Sequence, residues 1–298
     1  MESADNPALG GFSECDELTD PLPVRQGDVF VFLDEYQGPW ARLGIVVTAD
    51  CDIALHKHAG ILSYVPVLEL TEYLQRFVLP RQLERASTPV LDEVHRRVRE
   101  LQAERRPEFP DPLADDAIDR WVKEAESARI ADDLCVPDDA RPSFAELIDL
   151  AKGCLTAGVG DFDTQFEMLR TLRGRASRTK RPVGEILWDE IRERVRSLPG
   201  DAFFLNALTS TERSGYVAYL RLIREINETE IALRPRDLHM NPIRARRVAR
   251  LRSPYVYRLT QQLAQVFSAI GLPTDYEDQR DNTVMAHYAS RQVKAEDT

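Results

Sequence analysis

The pattern of apolar and polar positions divides the chain into three stretches with different periods. From Val24 the apolar residues come in short β-prone runs bounded by turn residues. Residues 28–33, 43–48 and 61–67 each predict a strand. Pro66 places the third at an edge or a bulge. From about Thr71 to Ser197 the period becomes helical. Val90, Val94, Val98 and Leu101 share one spacing, and Ile118, Trp121, Val122 and Ala125 another. Phe144, Leu147, Ile148 and Ala151 repeat it, as do Phe166, Leu169 and Leu172, and then Ile186, Leu187, Ile191 and Val195. Breaks at 107–112, 137–142, 158–160 and Pro182 predict five or six helices with solvated outer faces. After 198–201 the strand signal returns at 202–208 and 215–223. Residues 244–252 alternate, with Ala245, Ala249 and Leu251 on one side. Arg244, Arg246, Arg250 and Arg252 lie on the other, joined by Val248, while Arg247 interrupts the small-residue side. Ser253 and Pro254 start a last helix with the apolar stripe Leu259, Leu263, Val266, Phe267 and Ile270, which Gly271 and Pro273 stop.

Three strands before residue 70 and three after 200 are each too few for a stable sheet. Together they predict an α+β fold in which one β-barrel is split by a helical insertion. Residues 24–70 and 201–273 form the barrel and its C-terminal helix, and 71–200 form the insertion. An acidic tail (1–23) and a polar, loose tail (274–298) flank them.

A chain of 298 residues with 43% hydrophobic residues buries a sizeable core without staples. No run approaches 18 apolar residues, so no membrane span is expected. The first 20 residues hold six acids and no base, unlike a secretory signal. Cys15, Cys51, Cys135 and Cys154 are widely spaced, which fits a reducing cytoplasm and neither a disulfide scaffold nor a zinc knuckle. The net charge of −11 hides a segregation. Residues 108–149 carry 13 acids and 4 bases, whereas 170–181 and 244–258 each carry six bases and no acid.

The densest polar cluster, Asp50, Cys51 and Asp52 with His56, Lys57 and His58, follows a buried strand, where functional groups often sit. It admits three readings. Cys51 is a reactive thiolate near Lys57 and the histidines, blunted by the flanking carboxylates. Asp50, Asp52, His56 and His58 form an oxygen-and-imidazole metal set, though the spacing matches no closed zinc pattern. Or Cys51 is buried and the aspartates cap a turn into a short helix. No metal or cofactor is assigned. Arg42, beside Trp40, either stacks on the indole or meets phosphate. The face of Arg244, Arg246, Arg250 and Arg252, with Tyr255 and Tyr257 beside it, suits phosphate forks and base stacking, so RNA is a candidate partner. Its alternative is pairing with the acidic helices of 108–149. The run 170–181 reads as a solvated linker. The acids and arginines of 183–197 read as surface pairs. His95 and His239 are isolated, and the sequence holds no phosphate-binding glycine motif.

The first β segment resembles the MazF/PemK (Kid-type) toxin family. The resemblance rests on Arg25-Gln-Gly-Asp-Val-Phe30, Gln37-Gly-Pro-Trp-Ala-Arg42, Ile45-Val-Val-Thr48 and Ser63-Tyr-Val-Pro-Val67. The order of basic strand and helix at 244–272 is similar in character. The resemblance implies an SH3-like barrel, usually a homodimer, that cuts single-stranded RNA without a metal. It places Arg42 as the stabiliser of developing phosphate charge. The family's catalytic threonine falls at or beside Leu68, followed by Glu69, and leucine cannot relay a proton. Two readings follow. One is a catalytically degenerate barrel that binds nucleic acid, or a protein partner through the helical insertion or acidic tail, in a bacterial stress or phage-defence system. The alternative is a toxin-like endoribonuclease in which Thr48 or the Asp50–Cys51–Asp52 cluster replaces the missing threonine.

Overall fold

The computed structural model describes residues 14–18, 22–33, 38–105, 112–176, 180–209, 214–239, 242–268, 275–276 and 278–286. In chain order the first elements are β1 (Cys15–Glu17), β2 (Asp28–Phe32), β3 (Leu43–Val46), α1 (Asp50–Ala54) and β4 (Ile61–Glu69). A helical segment follows: α2 (Leu70–Tyr73), a π turn (Leu74–Val78), α3 (Leu79–Arg105), α4 (Asp115–Glu124), α5 (Ser127–Asp133), α6 (Arg141–Ala157), α7 (Phe162–Ala176) and α8 (Val183–Arg196). The chain then returns to strands with β5 (Ala202–Leu205), β6 (Tyr216–Tyr219), β7 (Arg224–Asn227), β8 (Ile231–Ala232) and β9 (Ala245–Leu251), and α9 (Ser253–Ser268) comes last.

The two β-rich segments share one curled sheet of path β1-β9-β2-β3-β4-β6-β5, with β7 beside β4 and β8 beside β9. All pairings are antiparallel except β8 with β9. The fold is therefore α+β. Full barrel closure is not reached among the described residues, because the path ends at β1 on one side and β5 on the other. The acidic tail is also corrected: β1 lies within it, and Glu14 and Cys15 are buried. The strand expected over 215–223 is shorter, β6 ending at Tyr219, and a separate strand β7 begins at Arg224, while the short β8 carries no periodic signal. Residues 278–286 are helical rather than loose. Residues 34–37, 106–111, 177–179 and 269–274 lie outside the described residues. With them go Gln37, part of the break before Pro112, the middle of the basic run, and the expected stop at Gly271 and Pro273.

Pro66 sits in a central strand, not at an edge. β4 pairs with β7 as far as Tyr64 and with β6 from Val67, so Pro66 falls where the partner changes. Backbone direction alternates along a strand. Ser63 accepts from Val47 on the β3 side, so the nitrogen of Pro66 faces the gap between β7 and β6, where no N–H is needed.

Alternate side chains of β4 serve two layers. Val65 and Val67, with Val29, Ile45 and Ala218, pack under Leu259 and Leu263 of α9. Leu62 and Tyr64 face the other way, toward Phe30, Val46 and Ile226. On that face Gly44 is a packing requirement, since a Cβ there would lie 2.6 Å from the rings of both Phe30 and Tyr64. Farther along the same face, Leu68 joins Tyr73, Ala202 and Val217, and Trp40, Phe77 and Phe204 pack against them. This cluster seats the helical segment on the sheet. The helices carry their own interiors, one around Val98, Ile118, Ile130 and Ile148 and one around Leu79, Leu83, Leu169 and Leu187.

Helix α2 begins where β4 ends, without a loop. Glu69 and Glu72 form a capping box that satisfies the first backbone donors. Leu79 N–H bonds five residues back to Leu74, so the helix widens by one turn just before Pro80. Proline has no N–H to offer, and its ring would crowd the carbonyl of Arg76. The widened turn relieves both problems.

Candidate functional site

The residues assigned to RNA cleavage do not converge. Arg42 precedes β3 and Thr48 follows it, about 20 Å apart along an extended chain. Arg42 forks onto Glu69 and Glu72, each at 2.9 Å. Burial opposes its charge, but the hydrogen bond to Glu72 and the field of both carboxylates outweigh that and raise its pKa. Trp40 packs on Phe77 and Tyr219 instead of on Arg42. Leu68 is fully buried, so nothing at that position reaches a substrate.

At the far end of β3, Thr48 Oγ1 accepts the N–H of Ser63 at 2.7 Å and ties β3 to β4. Asp50 opens α1 and accepts the N–H of Gln26 at 2.8 Å. Cys51 is exposed rather than buried, with Sγ 3.8 Å from Asp52 Oδ1. His58 stays against the cluster through Asp52 O at 3.3 Å and reaches out of it to Glu228 Oε2 at 3.0 Å. The hydrogen bond to Glu228 raises the His58 pKa above its usual value. Among the described residues no three His, Cys, Asp or Glu side chains gather to hold a metal ion. His95 is not isolated, since Asp119 at 2.8 Å and Asp115 at 3.2 Å hold its ring between α3 and α4.

Most of the β9 arginine face is paired internally, and with acids other than those of 108–149. Arg250 grips buried Asp28, as does buried Arg247 at 3.2 Å. Arg252 meets Asp16 at 2.8 Å, and Arg244 lies 3.8 Å from Glu230. Arg246 is exposed and forms no ion pair among the described residues. Tyr255 packs against the core under α9, whereas Tyr257 is 70% exposed. In the basic run 170–181, Arg170 meets Glu167, Arg173 meets Glu190, and Arg181 meets Glu185 and Asp189.

Among the described residues, three arginines without an ion pair come together where the helical segment meets the sheet. A cleft of about 440 Å³ opens there, lined by Tyr73, Phe77, Arg81, Gln82 and Arg85 from the helix and by Arg194 from α8. Leu198, Asp201, Tyr219 and Arg221 complete it from the sheet side. Tyr73, Phe77, Arg81 and Arg85 are spaced by four residues. Such a stripe drifts about 40° per step around a regular helix, and the wider π turn at Leu74–Val78 takes up part of that drift. Phe77 and Tyr219 stack at 5.2 Å, with Trp40 against Tyr219 at 5.1 Å and Tyr73 against Phe77 at 5.2 Å.

Arg81, Arg85 and Arg194 are exposed and form no ion pair among the described residues. Arg221 pairs with Asp201, whose hydrogen bond raises the arginine's pKa. Four guanidiniums and one carboxylate in one concave space make a positive field that favours an anion. Guanidinium forks fit phosphate oxygens, and half-buried rings accept the face of a base. Gln82, nine-tenths buried on the wall of this cleft, has an amide oxygen without a hydrogen-bond partner among the described residues. A buried acceptor in that state is costly until a donor reaches it.

The sequence reading missed this site. Its helical half was legible as the Tyr-x₃-Phe-x₃-Arg-x₃-Arg stripe. Arg194, Tyr219 and Arg221 join only through tertiary contact. Compared with protein-family models, curated proteins and solved structures, the chain shows no significant match. Among the described residues no helix is long and apolar enough to cross a membrane.

Proposed function

We propose that this chain binds single-stranded nucleic acid in the cleft between its sheet and its helical segment. In this reading the MazF/PemK-like strands are a scaffold that has lost nuclease chemistry. The observation that carries it is the meeting of Arg81, Arg85 and Arg194, unpaired among the described residues, with the Phe77 and Tyr219 rings. Arginine forks supply affinity for phosphate and the rings supply base stacking, a combination that tolerates any sequence. Loss of catalysis is supported by the two carboxylates on Arg42, by buried Leu68 and by the distance of Thr48 and Asp50 from Arg42.

The test is fluorescence anisotropy with a labelled unstructured RNA, titrated at several salt concentrations. The unaltered protein binds, with affinity falling as salt rises. The double variant Arg81→Ala, Arg85→Ala binds more weakly and shows a salt slope shallower by about 1.4, two phosphates at about 0.7 each. Both residues are exposed, so the variant keeps its fold. Equal binding and slope in the two proteins would overturn the cleft. The same RNA incubated in EDTA stays intact. Discrete cuts that vanish in Arg42→Ala would restore the ribonuclease reading.

A further inference from the structure

A second hollow shares the sheet face on which the cleft opens. It is about 480 Å³ in volume and is lined by Phe32, Ala41, Tyr64, Ile223, Arg224 and Arg244. Side-chain alternation along β4 puts Tyr64 and Leu68 on one face. Tyr64 belongs to the ring group of the second hollow, with Phe30 5.0 Å and Phe32 5.8 Å away. Leu68 belongs to the cluster under the cleft. The short turn Pro39–Ala41 stands between them. Trp40 of that turn lies against the cleft rings Phe77 and Tyr219, and its neighbour Ala41 lines the second hollow. Adjacent Cα atoms are about 3.8 Å apart, so one thin wall separates the two hollows.

The second hollow repeats the chemistry of the first in smaller measure. Arg224 is half-buried and hydrogen-bonds the Tyr64 hydroxyl, near Arg244. Among the described residues the ion pair of Arg244 is a long one, 3.8 Å to Glu230. Ile223 offers an apolar edge that is 42% exposed. Glu225 lines the same hollow and lowers its net charge, which makes it the weaker subsite.

Resting on the nucleic-acid reading of the cleft, we propose that one strand occupies both hollows. It would cross the Pro39–Ala41 turn with Trp40 beneath it, anchored at Arg81 and Arg85 and held again at Arg224 and Arg244. Two linked weak contacts on one strand raise affinity without any new kind of contact, provided the strand is long enough to reach both.

The experiment is anisotropy with labelled oligouridylates of increasing length, from a dinucleotide upward, and with the matching deoxy series. Three proteins are compared: unaltered, Arg81→Ala with Arg85→Ala, and Arg224→Ala. Affinity is expected to rise with length and then level off. Arg224→Ala lowers affinity for the long oligomers on the order of tenfold and leaves the dinucleotide unaffected. Because Arg224→Ala frees the Tyr64 hydroxyl, Arg244→Ala is run beside it and shows the same length-selective loss. A flat length profile, or long oligomers bound equally by all but the Arg81/Arg85 variant, overturns the two-hollow path and leaves the cleft standing. Indifference of the Arg81/Arg85 variant removes the cleft and the path together. The RNA and DNA series separate the two sources of the same phosphate-and-base chemistry.

Discussion

Single residues in this protein take their roles from their partners more than from their chemical type. Arg247 interrupts the small-residue side of β9 in sequence, and in the fold it is a buried cation held by Asp28. Asp28 itself is almost fully enclosed and also accepts Arg250 and the N–H of Arg25 at 3.0 Å. Removing one member of such a group leaves an uncompensated charge inside. Asp28→Ala is therefore expected to lose about 3–5 kcal/mol of stability, read as a fall in the urea midpoint at unchanged slope. A loss under about 1 kcal/mol would mean that Arg247 finds water or another acceptor. The cysteines divide in the same way. Burial, reinforced by Glu14 and Asp16, pushes the Cys15 thiol up to about 12, and burial pushes Cys154 up to about 11, whereas Cys51 and Cys135 are exposed.

At the scale of elements, the turn after α1 is fastened to the turn after β7 by His58 and Glu228. The Glu228 hydrogen bond raises the folded pKa of His58 above its ordinary 6.5. The folded state therefore holds that proton more tightly than the unfolded chain. The stabilisation is complete below about 6.5 and is lost as pH rises through the folded value. Melting temperature should accordingly fall across that window, and Glu228→Gln should flatten this part of the profile. An unchanged profile in Glu228→Gln would assign the dependence to another group. Elements were also where the sequence was most legible. The helical periods and the six strands β2, β3, β4, β5, β6 and β9 stood out, because their apolar runs bury a face in a core. The strands β1, β7 and β8 did not: β1 and β8 have three and two residues, and β7 has Ile226 as its one apolar position. Of the site, only the Tyr73, Phe77, Arg81, Arg85 stripe was visible in principle. The conspicuous arginines of β9 were legible as a charged face, yet nothing local shows that Asp16, Asp28 and Glu230 occupy most of them.

At the scale of the whole molecule, the sheet is assembled from distant parts of the chain. Leu68 of β4 pairs with Val217 of β6, and β2 pairs with β9, with the whole helical segment lying between the partners. Closing so long a loop costs more entropy than any local contact returns, and the cost falls when the intervening chain is already compact. The helices have interiors of their own, and the loops closed among them are shorter than those the sheet must close. The order of assembly follows from this. In pulse-labelled hydrogen exchange during refolding, amides of α3, α6 and α7 gain protection first, and those of β4, β6 and β9 gain it together and later. Simultaneous protection of both sets would mean that the sheet forms without waiting. The rings and arginines of the cleft would then come together in the final docking step, so a chain caught before that step has finished helices and no binding site.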